Sequence, residues 1–192
     1  MNSFRILLVI ALCVASTAAV RSFGKCSEDY QTQDNFDLAR YTGDWYQIAR
    51  DKNFFFGNGE CVTATYVQDV QRSTEAFVLN QERKKTSAEA GKWPTFARAT
   101  SAGGSGKLSV NFKGIPARGD YNVLATDYDS YSVVYSCSGL LGFGKTEYVW
   151  ILSREPTLSD SKIAHLLDLV EERVGYGRDS LVFPDQSDCG WQ

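Results

Sequence analysis

The stretch Lys107-Leu108-Ser109-Val110-Asn111-Phe112 decides the class of fold. Leu108, Val110 and Phe112 fall on one face of an extended chain, and Ser109 and Asn111 on the other, which is the period of a strand with one buried face. On either side lie Trp45–Arg50, Cys61–Val67, Ala76–Gln81, Thr95–Thr100, Tyr121–Thr126, Tyr131–Ser136 and Tyr148–Ser153. Each is rich in β-branched or aromatic residues and bounded by Gly, Asn, Asp or Ser clusters. Gly103-Gly104-Ser105-Gly106 reads as a tight turn, not a phosphate loop. Eight short strands with tight connections predict an antiparallel up-and-down sheet, enough to close into a barrel with room for one small ligand.

One helix breaks the pattern. Ile163, Leu166, Leu167, Val170 and Val174 form a single apolar stripe at helical spacing. Thr157 and Asp160 are the expected capping pair, and Gly175 or Gly177 the stop. His165, the one histidine, sits on the flank of the stripe and reads as a solvated or half-buried helix residue. The expected fold class is therefore all-β, an eight-stranded barrel with one C-terminal helix packed on its outside.

Composition narrows the function. With 43% hydrophobic and 22% charged residues the 192-residue chain is not disordered, and one domain suits this length. A net charge of −3 argues against nucleic acid as a partner. Residues 1–19 read as a cleaved signal peptide, with Arg5 in the n-region, Ile6–Ala15 as the apolar segment and small residues from Ser16 to Ala19. A lipid anchor on Cys13 is disfavoured by Leu12 before it. Residues 20–192 are then a single secreted domain. Its four cysteines, Cys26, Cys61, Cys137 and Cys189, imply two disulfides, with three connectivities open. No cysteine pair has zinc-ligand spacing, so no metal is expected.

Three segments in order carry a resemblance. Gly43-Asp44-Trp45 opens the first barrel strand, Thr126-Asp127-Tyr128 closes the sixth and Arg154 ends the eighth. This pattern resembles the lipocalins. Asn35-Phe36-Asp37, Asn122–Tyr128, Val134–Cys137 and Val149–Arg154 are similar to the branch of apolipoprotein D, the bilin-binding proteins and the crustacyanins. The resemblance implies Cys26–Cys137 and Cys61–Cys189 pairing. It makes Trp45 a plug under the Arg154 guanidinium, at the barrel end where the three segments meet. It also assigns Tyr66, Asn80, Phe112, Tyr121 and Trp150 to the ligand pocket.

Alternation from Arg154 turns Leu152, Trp150 and Tyr148 inward and Val149 and Ile151 outward. Inward Ala64, Ala76 and Ala125 leave room for a ligand. Tyr66, Tyr121 and Asn80 then offer hydrogen bonds, and Trp150 and Phe112 flat apolar faces. The expected function is carriage of a small hydrophobic ligand: a lipid, fatty acid, sterol or retinoid. The alternative is a pigment, a bilin or carotenoid. No cofactor is required and no enzymatic activity is expected, since no thiol is left over as a nucleophile. The chain should be a monomer or weak homo-oligomer.

Four connections should share the open end of such a barrel. They carry Phe54, Phe55, Phe56, Leu140, Leu141 and Phe143, together with Lys52, Lys84, Lys85, Lys92, Lys113, Arg118 and Lys145. Aromatic tips among cations suit transient contact with a membrane or lipoprotein particle. The competing expectations are that Phe54–Phe56 fold inward as a lid or that the rim self-associates.

Overall fold

Alternation builds the sheet. The computed structural model describes residues 22–27, 29–54, 59–83, 94–114, 118–140 and 144–189. Its elements are β1 (Ser22–Phe23), α1 (Leu38–Tyr41), β2 (Gly43–Asp51), β3 (Glu60–Gln68), β4 (Glu75–Arg83), β5 (Thr95–Ser101), β6 (Lys107–Phe112), β7 (Arg118–Thr126), β8 (Tyr131–Leu140), β9 (Gly144–Ser153), α2 (Asp160–Val174), a 3-10 turn (Arg178–Ser180) and β10 (Leu181–Val182). From β2 to β9 each strand lies beside the next, and β9 pairs back to β2, Tyr46 with Ser153 and Arg50 with Trp150. The eight expected strands are β2 to β9, and closing them removes the edges that an open sheet would expose. The expected signal peptide, residues 1–19, lies outside the described residues.

The chain divides into two compact units. The larger, Ser27–Ser136 with Tyr148–Gln192, holds the interior cluster, whose largest members include Trp45, Tyr41, Tyr66, Phe36 and Tyr128. In this unit Val133, Val149 and Ile151 are wholly buried yet lie outside the interior cluster. They belong to the outer wall of the barrel, and on α2 Leu166 and Val170 are buried as well. Arg173 Nη1 on α2 donates to the Leu124 carbonyl at 2.6 Å, and Lys162 stands 4.1 Å over the Tyr131 ring. Cys61 is bonded to Cys189. In the smaller unit, Cys26 is bonded to Cys137, and β1 pairs with β9 through Ser22–Lys145 and Phe23–Gly144.

The helix starts two residues after the expected cap. Ser159 is the N-cap, its hydroxyl accepting from the Lys162 amide at 3.3 Å, and the Thr157–Asp160 pair plays no such part. Thr157 comes two residues too early, and Asp160 is already helical, where its carboxylate faces the positive end of the helix dipole. Gly175 ends the helix in the left-handed conformation at φ 64°, its amide donating to the Glu171 carbonyl.

Of the register shifts that break strict alternation, those on β7 and β2 bear on the interior. On β7 the register with β8 shifts between Val123 and Ala125. Ala125 is buried but not in the interior cluster, so the expectation that it lines the cavity is corrected. On β2 the register with β9 shifts between Gln47 and Ala49. Counting in twos from Trp45 would turn Arg50 outward, but the extra residue reverses the phase and sets it opposite inward-facing Trp150.

One end of the barrel is shut by a wired plug. Trp45 is wholly buried, its indole N–H donating to the Tyr41 carbonyl at 2.9 Å. The Arg154 guanidinium lies 3.7 Å over that ring. It donates to the carbonyls of Asp44 at 2.7 Å, Thr42 at 2.8 Å and Tyr128 at 2.9 Å, with longer contacts to Arg40 at 3.2 Å and Tyr41 at 3.4 Å. Gly43 makes this approach feasible: at φ 96° it is left-handed, and a Cβ there would stand 3.2 Å from Arg154 Nη1. Thr126 and Asp127 set the facing turn. The Thr126 hydroxyl donates to the Tyr131 carbonyl at 2.6 Å, and Asp127 Oδ1 accepts from the amides of Ser130 at 2.8 Å and Tyr131 at 3.0 Å. Tyr128 accepts from the Asp37 amide at 3.1 Å and carries the Arg40 guanidinium 4.3 Å over its ring.

Arg154→Ala should therefore strand several carbonyls at once and lower stability by about 2–4 kcal/mol. Trp45→Ala should cost about 3–5 kcal/mol as a core truncation. Urea unfolding of both variants checks this, and a loss under 1 kcal/mol at Arg154, well below that of about 2–4, would refute the plug as the anchor of this end.

Candidate ligand-binding site

The interior is lined by small residues on one wall and aromatic ones on the other. Ala64, Ala76, Ala97 and Ala99 all belong to the interior cluster, and a wall of methyl groups reaches less far inward than one of leucines would. Asn80 pairs in register with Ala64, so it shares the inward face. Phe112 pairs with Ala97 and Tyr121 with Leu108, and both are half-buried against the same cluster.

Three tyrosines meet below Trp150. The Tyr66 hydroxyl donates to that of Tyr121 at 2.8 Å, the Tyr121 and Tyr41 hydroxyls bond at 3.0 Å, and the Tyr41 and Ser132 hydroxyls at 2.9 Å. Trp150 stacks on Tyr121 with centroids 6.4 Å apart and planes 23° apart. Tyr41 in turn lies 5.0 Å from the Trp45 ring, which connects the pocket floor to the plug. Burial holds these phenols in their neutral form. Tyr41 is pushed up to about 12, and Tyr66 and Tyr121 are raised as well, in each case chiefly through desolvation.

Of the five pocket residues expected from the sequence, the structure joins Tyr66, Tyr121 and Trp150 in one bonded and stacked group. Phe112 packs against the same cluster, and Asn80 faces the interior without entering the hydroxyl chain among the described residues. Of the expected rim, Phe54 is half-buried, its ring edge-on to Tyr148 at 4.9 Å and to Trp150 at 4.8 Å. Leu140 is the last residue of β8. Phe55, Phe56, Leu141 and Phe143 lie outside the described residues.

Sequence reasoning missed Tyr41, Ser132 and Arg50. Tyr41 ends α1, a single helical turn capped by Asp37, whose carboxylate accepts from the amides of Ala39 and Arg40. The cap could have been read from Asp37-Leu38-Ala39-Arg40, but four residues are too few to show a period and so to aim the Tyr41 ring. Ser132 is a small polar residue inside a strand, indistinguishable in sequence from one facing water.

Comparison with known proteins agrees with this architecture. A family model described as a lipocalin-like domain matches residues 36–186. Apolipoprotein D of Cavia porcellus is 32% identical over 169 residues, covering 87% of this chain and 85% of the relative. Insecticyanin of the tobacco hornworm Manduca sexta superposes with a TM-score of 0.72 at 23% identity, over 88% of this chain and 90% of that one. Lobster apocrustacyanin A1 superposes with a TM-score of 0.69 at 18% identity, over 88% of this chain and 94% of its own length.

The tyrosine floor has a pH signature. A phenol whose folded pKa is raised adds stability that is whole below the unfolded value near 10 and fades as pH climbs through the folded one. Among the ten tyrosines, Tyr41, Tyr66 and Tyr121 should stay protonated in the native protein while exposed ones ionise. Phenolate absorbance should lag until the protein unfolds, and stability should fall from about pH 10 toward 12, the value to which Tyr41 is raised. Ionisation of all ten in a single step with the fold intact would contradict a dry floor.

Proposed function

The chain belongs to the lipocalin family, and we propose that it is a secreted carrier that holds one small hydrophobic ligand inside the barrel. The observation that carries this reading is the Trp150–Tyr121 stack above a floor of hydroxyls that bond only to each other and to Ser132 among the described residues. Such a surface gives a ligand flat apolar contact while demanding no hydrogen bond in return. Secretion is supported by the two disulfides, which persist only in an oxidising compartment, and by the leader-like residues 1–19. A binding role without catalysis is supported by the pairing of Cys26, Cys61, Cys137 and Cys189 and by His165, which stands exposed on α2. Phe54, turned edge-on to Trp150, acts as part of the cover of the cup and not as a tip that enters lipid.

A pigment such as a bilin or carotenoid is the second reading. It is favoured by the near-parallel Trp150 and Tyr121 rings, 23° apart, which suit a conjugated planar ligand, and by the likeness of fold to insecticyanin. A visible absorption band in protein taken from its native source would select the pigment.

All-trans retinoic acid should quench the intrinsic tryptophan fluorescence saturably, with Trp150 as the chief reporter. Trp150→Phe should remove most of the quench and leave the thermal unfolding profile unchanged, and Tyr121→Ala should weaken binding far more than Trp45→Ala does. A full quench in Trp150→Phe, or equal losses of affinity at Tyr121 and Trp45, would refute the cup.

A further inference from the structure

The interior holds a buried cation with a donor that the described residues leave unpartnered. Arg50 is only 6% exposed and lies opposite Trp150 in the β2–β9 register. Residues opposite one another on antiparallel strands share a face, so the Arg50 side chain leaves β2 on the side of Trp150, toward the interior. Its Nη1 donates to the Asp51 carbonyl at 2.7 Å, while its buried Nε has no hydrogen-bond partner among the described residues. The neighbouring carboxylates are engaged elsewhere. Asp51 accepts from the Asn53 amide at 2.8 Å and from the Tyr176 hydroxyl, and Glu82 accepts from the Gly59 amide at 2.8 Å. Burial lowers the affinity of the guanidinium for its proton, and the fields of Asp51 and Glu82 partly restore it.

A guanidinium cannot escape burial by deprotonating. Left without an anion, it is one of the more costly groups to keep in a core. The contrast with the floor is sharp, because the hydroxyls of Tyr66, Tyr121, Tyr41 and Ser132 bond to one another. Among the described residues Arg50 Nε is a fully buried side-chain donor without a partner, and the edge formed by Nε and Nη2 is the one a carboxylate grips with two parallel bonds.

We propose that Arg50 is an anion subsite of the cavity and that the ligand is a monocarboxylate with an apolar body. Its carboxylate sits on the Nε edge of Arg50, and its body lies along Trp150 and Phe112 toward the tyrosine floor. This rests on the carrier reading above and adds to it the polarity of the ligand and the end that is recognised. In this arrangement Tyr66 and Tyr121, expected from the sequence to offer hydrogen bonds, meet the ligand with their ring faces.

The test uses two probes with one polyene skeleton, retinoic acid and retinol, titrated into the whole protein with tryptophan fluorescence as the readout. A charge-assisted bond to a buried guanidinium corresponds to roughly a tenfold or greater preference for the acid. Arg50→Met should bring the acid down to the affinity of the alcohol and leave the alcohol within about threefold of wild type, because apolar contacts are kept while a charge-assisted bond is lost. It should not lower the melting temperature of the unliganded protein, since it removes a buried charge whose Nε no described residue meets. Arg50→Lys, which keeps the cation and loses the fork, should retain only part of the preference, and it carries the comparison if Arg50→Met does not fold. Equal affinities for acid and alcohol in the wild type, or a preference untouched by either substitution, would overturn the subsite and leave the carrier standing. Failure of both probes to bind the wild type would overturn the carrier reading and the subsite together.

Discussion

The Arg154 guanidinium over the Trp45 indole is the contact on which the rest of the fold leans. A barrel closed by backbone pairing still has two ends, and at each end carbonyls and amides run out of strand partners. At this end one side chain gathers the loose carbonyls of Asp44, Thr42 and Tyr128, so the entry to β2, the end of β9 and the β7–β8 turn are held by one planar cation. The indole beneath supplies the apolar half of the closure and, through its bond to the Tyr41 carbonyl, fixes α1. Tyr41 then carries the constraint inward, from the plug ring at 5.0 Å to the hydroxyl chain of the floor. The pocket floor is thus the upper surface of the plug.

A different device holds the barrel where β2 and β3 part. Their register runs from Gly43–Tyr66 to Tyr46–Thr63, and further along β2 pairs with β10 at Arg50 and Asp51. The C-terminal tail bridges the interval. The Gln186 side-chain amide donates at 2.9 Å to both the Gln47 and the Val62 carbonyl, and the Cys61 amide donates to the Asp185 carbonyl at 2.7 Å. The Cys61–Cys189 disulfide keeps that tail in place, and by closing a loop of more than a hundred residues it restricts the unfolded chain strongly. One buried glutamine does here what a continuous ladder does elsewhere in the wall.

The fold was legible wherever burial imposed a period. Lys107–Phe112 alternates because the strand has one drier and one less buried face, and the stripe on α2 exists because Leu166 and Val170 are buried. The plug was legible through resemblance, since Gly43, Trp45 and Arg154 are unusual residues at telling places. What escaped was geometry without a composition. The bulge on β7 moved Ala125 off the interior face, and no residue type in Val123-Leu124-Ala125 announces it. The hydroxyl chain escaped for a related reason: Tyr41 and Ser132 are 91 residues apart, and only the closed barrel brings their hydroxyls to 2.9 Å.

The bulge on β2 has the larger consequence, because it sits between two levels of the barrel that need different chemistry. Below it, β2 must offer Trp45 to the plug with Tyr46 outside, and strict alternation does this. Above it, alternation unbroken from Trp45 would place Ala49 inside and Arg50 outside. The inserted residue exchanges them, so that Ala49 faces the outer wall opposite Ile151 and the cation faces the interior opposite Trp150. A small residue suits that fully buried outer position, where a guanidinium would be a buried charge. One extra residue therefore serves packing on the outer face and the polarity of the cavity on the inner one. Deleting it would bury the charge in the outer wall, which is why the two surfaces of β2 cannot be altered independently.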